Sequence, residues 1–185
     1  MLAQVARLTQ KVWYSPQIRA ELAQLAGDAD INSEVLVRMV KTRWNTVAVV
    51  LERILELKDV LPELCDMHRF NGDRSARLRR YILSNEEWAV LEQLYRLLDP
   101  FLFATNDISS STRGLVHEVI PYMDVLTAHL DDFQDDLSLT SAIRAAAKRG
   151  RLMLSKYYSL TDETPIFRIA MSTFSGLILA TQLPY

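Results

Sequence analysis

The sequence predicts an all-α protein, a helical bundle of about six or seven helices with one short extended segment near Val35–Val40. Apolar residues recur at the 3.6-residue spacing of an amphipathic helix through most of the chain. The residues that interrupt helices are scarce, with 5 glycines and 6 prolines in 185 residues. Several apolar stripes also follow a helix-start signal, whereas a single stretch has the composition of a strand.

The first two predicted helices meet at Ser15. Apolar positions from Leu2 to Trp13 fall at helical spacing and predict the first helix. Ser15-Pro16 offers an N-cap followed by proline at the first helical position, so a second helix is expected from Pro16 to Ala26. We expect Gly27 to end it, because glycine favours the conformation that follows a helix.

A long central helix is predicted after the extended segment. Apolar residues keep a helical stripe from Thr42 to about His68, and Thr42 can cap the start. Pro62 is expected to kink this helix, because proline removes a backbone donor and crowds the preceding turn. A loop is predicted over residues 70–75.

The second half of the chain predicts further helices. Ser84 and Glu87 have the spacing of a capping box and predict a helix start. We expect Asp99-Pro100 to interrupt that helix and residues 106–112, rich in serine and threonine, to form a loop. Two more helices are predicted over residues 115–131 and 138–158.

Charge is patterned locally although the net charge is only −2. Residues 69–80 hold five arginines and one aspartate, and residues 144–156 hold five basic residues and no acid. Residues 124–136 hold five aspartates and no lysine or arginine. Any nucleic-acid contact must therefore come from a local patch, while each run taken singly is typical of a solvated helix face.

Features that the sequence lacks restrict both the cellular compartment and the chemistry expected of the protein. The single cysteine, Cys65, cannot form an internal disulfide and fits a reducing, intracellular compartment. No apolar run approaches the roughly 20 residues of a membrane span, so no membrane partner is expected. No glycine-flanked nucleophile or phosphate-binding glycine loop occurs, so we expect no nucleotide binding, and we predict no cofactor or small-molecule substrate.

Two groups of side chains resemble metal sites, and both are better explained otherwise. Asp131, Asp132, Asp135 and Asp136 lack the spacing of a calcium loop. Cys65 and His68 could form half of a zinc site, yet the sequence has no second cysteine to complete it. No metal ligand is therefore predicted.

Arg43 and Trp44 are the candidate nucleic-acid-binding residues. A flat aromatic face beside a fixed cation suits an unpaired base next to a phosphate. A buried tryptophan beside a solvated arginine would give the same dipeptide.

A series of landmarks in fixed order resembles the hAT-family DNA transposases. The landmarks are Tyr14-Ser15-Pro16, Val40 to Asn45, Leu51 to Leu57, Glu87-Trp88, Leu98 to Phe101, Thr105, Tyr157-Tyr158 and Arg168-Ile169-Ala170. The resemblance covers about Val5 to Met171 and corresponds to the helical insertion that interrupts the family's RNase H-like catalytic domain. It implies a transposable-element origin, a nuclear location and a DNA contact through Arg43 and Trp44.

The resemblance also implies that the chain is not an enzyme. The family's first two catalytic aspartates precede the part matched by Val5, and its last catalytic glutamate follows the part matched by Met171. Residues 1–171 then form a helical transposase-like domain. Residues 172–185 depart from the family pattern, as expected either of a truncated or frame-altered product or of divergence at a terminus.

Two functional hypotheses follow. The first is a non-catalytic transposase-derived fragment that retains DNA binding near transposon ends through Arg43 and Trp44. The alternative is a helical protein-protein interaction module, or an inert transposon remnant without DNA binding. In the interaction module, a stripe such as Leu91, Leu94 and Leu98, or apolar groups of the tail over residues 172–185, would pack on a protein partner or a second copy of the chain.

Overall fold

A computed structural model describes residues 1–33, 35–39, 44–72, 77–109, 116–163, 165, 166 and 169. It confirms the all-α prediction, since this part of the chain contains seven α-helices, three short 3-10 helices and no strand. The α-helices are α1 Leu2–Tyr14, α2 Pro16–Asp28, α3 Trp44–Glu56, α4 Leu61–Asp66, α5 Asn85–Ile108, α6 Val119–Asp135 and α7 Ser141–Glu163. The 3-10 helices are His68–Phe70, Arg79–Tyr81 and Val116–Glu118.

The chain forms two compact units, Met1–Tyr95 and Arg96–Tyr185. The boundary falls inside α5, so this helix contributes residues to both units. The segment predicted to be extended is irregular over residues 35–39, where Leu36 is fully buried. Val40, Thr42 and the tail over residues 172–185 lie outside the described residues, and so does the boundary predicted at residue 171.

The junction between α1 and α2 confirms the predicted cap. The Ser15 hydroxyl accepts a hydrogen bond from the backbone N–H of Ile18 at 3.4 Å, and Pro16 occupies the first turn of α2. Val5, Leu8 and Val12 of α1 are buried, as their spacing predicts. These contacts fix the turn that brings α2 back beside α1.

The predicted end of α2 at Gly27 is wrong. Gly27 is helical, and α2 ends at Asp28. Asp30 takes the left-handed conformation, with φ of 55°, and its N–H bonds the Gly27 carbonyl while the Ile31 N–H bonds the Ala26 carbonyl. This is the Schellman pattern, in which aspartate tolerates the conformation that glycine usually supplies.

The single long helix predicted from Thr42 to His68 is also wrong. The chain forms α3 and α4, separated by a turn over residues 57–60. Pro62 lies in the first turn of α4, where its missing N–H costs nothing, because that position has no partner within the helix. The apolar stripe was nevertheless correct, since Leu51, Ile54 and Leu64 are fully buried.

The capping box of α5 is confirmed at both hydrogen bonds. The Ser84 N–H donates to the Glu87 carboxylate at 3.1 Å, and the Glu87 N–H donates to the Ser84 hydroxyl at 3.2 Å. These bonds satisfy two backbone donors at the helix start.

The interruption predicted at Pro100 is wrong, because α5 runs through it to Ile108. A proline inside a helix costs about 3 kcal/mol. Burial of Leu97 and Leu102, on either side of it, offsets that cost, since each buried leucine contributes about 1.5 to 3 kcal/mol.

The second unit contains an antiparallel hairpin of α6 and α7. The hairpin is held by an ion pair between Arg151 and Asp131 at 3.0 Å and by a hydrogen bond from the Tyr158 hydroxyl to Asp124 at 2.8 Å. A Cβ on Gly150 would lie 3.3 Å from the Leu130 side chain, so glycine permits the close approach. Helix α7 begins three residues later than predicted, because Asp136 accepts a hydrogen bond from the Ser138 N–H at 2.8 Å.

None of the helices in the described ranges is long and apolar enough to cross a membrane.

Candidate nucleic-acid interface

The first unit contains an open cleft of about 580 Å³, which we call the α1 cleft. Helices α1 and α2 form one wall, and the segment that follows α4 forms the other. It is lined by Arg7, Gln10, Lys11, Tyr14, Ser15, Ile18, Arg69, Phe70, Gly72 and Tyr81.

The spacing of residues on α1 explains why their side chains meet at the cleft. Arg7, Lys11 and Tyr14 stand four and three residues apart, which places them on one face of a helix. The opposite face carries Leu8 and Val12, which are buried in the core of the first unit. Burial of the apolar face therefore forces the basic and aromatic face toward solvent.

The second wall is held in place by the side chain of Asn71. Its amide donates to the carbonyls of Cys65 and Met67, both at 2.8 Å, and its oxygen accepts from the Arg79 N–H at 2.9 Å. These three bonds tie the end of α4 to the 3-10 helix Arg79–Tyr81. Phe70 and Tyr81 are thereby fixed as parts of the lining.

The cleft is strongly basic within a chain of net charge −2. Arg7, Lys11 and Arg69 line it, and the residues described along its lining include no acid. Glu21 of α2 forms an ion pair with Arg69. The Arg69 guanidinium also lies 5.2 Å from the centre of the Phe70 ring, so two contacts orient this cation.

Two aromatic rings of the lining lie beside arginines that are not themselves part of the lining. Tyr14 is 62% exposed, and the Arg38 guanidinium lies 5.4 Å from the centre of its ring. The Arg80 guanidinium lies 5.9 Å from the Tyr81 ring. A guanidinium group can donate two hydrogen bonds to the oxygens of one phosphate, and aromatic faces stack on unpaired bases. This part of the molecule therefore offers both kinds of contact that a nucleic-acid strand requires.

The site residues predicted from the sequence cannot be placed in this cleft. Arg43 lies outside the described residues, and Trp44 begins α3 while its side chain lies outside the described part. Their role stays a prediction. The sequence reasoning missed Arg7, Lys11 and Tyr14, although their helical spacing was a signal that could have identified them.

The two basic runs differ in their surroundings. In the first, Arg69 reaches the cleft while Arg79 pairs with Asp66 at 2.6 Å. In the second, Arg151 pairs with Asp131, whereas Arg149 and Lys156 are exposed and have no ion-pair partner among the residues described.

The groups that resemble metal ligands have other roles in the fold. Burial raises the pKa of the Cys65 thiol to about 12, so the thiol is protonated at neutral pH and is a poor metal ligand. Hydrogen bonds from the side chain and backbone of Ser138 hold the pKa of Asp136 below its ordinary value. Asp131 is engaged by Arg151.

Comparison with known proteins gives two distant relatives. The chain is 24% identical over 146 residues to zinc finger BED domain-containing protein 4 of Homo sapiens, a match that spans 78% of this chain. It is 25% identical over 161 residues to a protein of Talaromyces stipitatus named "putative transcriptional regulator tpeD", a match that spans 87% of this chain.

No family model matches the chain, and no solved structure matches it. The matched parts span only 12% and 16% of the length of the human and fungal relatives. The chain is thus similar over most of its length to a small part of two larger proteins, one named for a zinc finger domain and one for transcriptional regulation.

Proposed function

We propose that this chain is a non-catalytic helical domain derived from an hAT-type transposase, which binds DNA in the nucleus through the α1 cleft. The observation that carries the proposal is the combination of three cations, Arg7, Lys11 and Arg69, with the exposed ring of Tyr14 and the half-buried ring of Phe70 in one cleft. The ordered landmarks of the sequence support the transposase origin. The relative named for transcriptional regulation supports a function at DNA and a nuclear location.

The dimensions of the cleft suit a short stretch of a nucleic-acid strand. Arg7 and Tyr14 are seven residues apart on α1, which corresponds to about 10 Å along the helix axis. That length is about three nucleotide steps of 3.4 Å each. The cations would contact successive phosphates while Tyr14 stacks on a base, and Arg43 and Trp44 are proposed to extend the same contact.

A non-catalytic role follows from the family resemblance. In the family, the carboxylates that hold the metal ions for DNA cleavage lie outside the part that the resemblance matches, Val5 to Met171. We therefore propose DNA binding, and no cleavage step, for the matched part of the chain.

The test is fluorescence anisotropy with labelled single-stranded, hairpin-ended and blunt duplex DNA. Tyr14→Ala should weaken binding to single-stranded and hairpin-ended DNA by about 5-fold to 100-fold, because base stacking contributes about 1 to 3 kcal/mol. Tyr14→Phe keeps the ring and should bind nearly as well as the parent. Trp13→Ala is the matched control, since Trp13 is the neighbouring aromatic of α1 and does not line the cleft.

Failure of the folded parent to bind any of these DNAs would overturn the proposal and favour an inert remnant. If Trp13→Ala and Tyr14→Ala lower the DNA affinity equally, the α1 cleft is not the DNA-binding site. Arg43→Ala and Trp44→Ala test the predicted site in the same assay, and unchanged binding in both would restrict the contact to the cleft.

One observation favours the alternative function of a protein-protein interaction module. The stripe predicted for that role is not the exposed one, since Leu91 is fully buried and Leu94 and Leu98 are half-buried. Several large apolar residues of α7 are exposed instead.

A further inference from the structure

Helix α7 has two faces with different surroundings. Its inner face packs on α6, where Ile143 and Ala147 are buried and Gly150 approaches Leu130. The ion pair of Arg151 with Asp131 lies on the same side. The inner face therefore completes the hairpin of the second unit.

The outer face of α7 is apolar and exposed. It is made of Arg149, Leu152, Met153, Lys156 and Tyr157, whose spacing of three and four residues places them in one stripe. Leu152 is 65% exposed, Met153 56% and Tyr157 55%. Full burial of a leucine or methionine side chain contributes about 1.5 to 3 kcal/mol, so the exposed stripe is a large source of binding free energy.

The charges of the outer face decide which partner fits it. Arg149 and Lys156 lie on the stripe and Lys148 lies at its edge, and all three are exposed. They have no ion-pair partner within the described part of the chain, and residues 144–156 contain no acid. The face thus combines an apolar centre with unpaired positive charge.

This combination argues against two other occupants. Pairing of the outer face with the same face of a second copy would set cations against cations, because a two-fold interface brings identical patches together. A nucleic-acid strand would match the cations but would leave Leu152 and Met153 against phosphates. An acidic amphipathic segment matches both features.

We propose that the outer face of α7 binds an amphipathic helix of a partner protein that carries leucine-like residues on one stripe and aspartate or glutamate along its flanks. Residues 149–157 extend about 12 Å, so the partner would contact about two helical turns. The acidic flanks would pair with Arg149 and Lys156 while the apolar stripe covers Leu152, Met153 and Tyr157. This proposal is independent of DNA binding by the α1 cleft.

The test uses the full chain and designed, fluorescein-labelled helical peptides of about five turns. The probe has leucines at helical spacing with glutamate flanks, and its matched control has the same leucines with lysine flanks. The glutamate peptide should bind at least about tenfold more tightly, a difference of about 1.4 kcal/mol.

Variants of the chain separate the apolar contribution from the charge. The double substitution Leu152→Ser with Met153→Ser should lower the affinity for the glutamate-flanked peptide at least about tenfold, because the apolar centre of the face is lost. Leu137→Ser is the control, since Leu137 is 82% exposed but precedes α7 in the hairpin loop. Arg149→Glu with Lys156→Glu should reverse the preference, so that the lysine peptide binds more tightly.

Equal binding of the two peptides, or no binding by the folded parent, would overturn the proposal. A dimer of the parent that dissociates on Leu152→Ser would replace the partner with a second copy of the chain. Binding to vesicles containing phosphatidylserine, lost in the same variants and stronger than peptide binding, would replace it with a membrane surface. Circular dichroism of each variant checks that the helices are retained.

Discussion

Among the described residues, the first unit buries more apolar residues than it exposes, whereas the second unit exposes more than it buries. Among the described residues, the buried hydrophobic core contains twenty residues from the first unit and nine from the second. The large hydrophobic residues that are exposed number five in the first unit and eleven in the second, counted over the same residues. The described residues number 86 in the first unit and 65 in the second, so the larger number of exposed apolar residues in the second unit does not come from a larger number of residues compared.

The basic residues differ in the same way. In the first unit, Arg38 and Arg69 lie against aromatic rings, and Arg69 and Arg79 are paired with acids. In the second unit, Arg149 and Lys156 flank exposed apolar side chains instead. Two sequence runs with similar composition therefore have different surroundings, and the residues beside each cation decide what it can bind.

The largest expected effect concerns thiol reactivity. Because burial raises its pKa to about 12, Cys65 should react with a thiol reagent at pH 8 about a thousandfold more slowly than an exposed cysteine. Leu152→Cys supplies that exposed cysteine in the second unit, and labelling should be fast there. Comparable labelling rates for the two thiols in the native protein would show that the reagent reaches the core of the first unit.

The same pKa shift has a consequence for stability. The raised pKa means that the folded state holds the thiol proton more tightly than the unfolded state. Its contribution to the free energy of unfolding is complete below about pH 9 and is lost as the pH rises toward 12. Cys65→Ala should flatten this part of the pH profile in urea titrations.

A matched pair of substitutions compares the two units directly. Leu51→Ala should lower the free energy of unfolding by about 2 to 5 kcal/mol, because Leu51 is fully buried and the deletion leaves a cavity. Leu152→Ala should change it by less than about 0.5 kcal/mol, because that side chain is exposed. Urea unfolding measures both, and a similar cost at the two positions would mean that the outer face of α7 is covered.

The capping box should have a smaller effect. Ser84→Ala should destabilise the chain by about 1 kcal/mol, because the Glu87 N–H loses its acceptor. Ser84→Asp keeps an acceptor and should restore most of the stability. Equal destabilisation by alanine and aspartate would contradict the capping role.

The smallest effect is expected at the ion pair of the hairpin. Arg151→Gln should cost less than about 1 kcal/mol, because both partners are partly exposed and water screens their attraction. A double-mutant cycle with Asp131→Asn measures the interaction itself. A coupling free energy above about 2 kcal/mol would mean that the pair is better shielded than its exposure indicates.

The sequence correctly predicted the helix caps, because a cap depends on contacts between residues that are close in the chain. Ser15 and Ser84 cap helices as expected, since each bond is made within three residues. The predictions at Gly27 and Pro100 were wrong because the decisive contacts were elsewhere, in the conformation of Asp30 and in the burial of leucines around Pro100.

The candidate site was harder to predict than the fold. The α1 cleft joins Tyr14 to Phe70, which are distant in the sequence and meet only after α1, α2 and α4 have packed. The spacing of Arg7 and Lys11 indicates a shared helix face, but that spacing carries no information about Phe70 on the other wall of the cleft.

The most direct test of DNA binding by the first unit is the salt dependence of its affinity for single-stranded DNA. Three phosphate contacts predict that log K falls with log salt at a slope of about −2. Arg7→Gln with Lys11→Gln should make this slope shallower and weaken binding, whereas Arg149→Gln with Lys156→Gln should leave both unchanged. The opposite pattern, with binding lost only in the α7 variant, would contradict the division of functions between the two units.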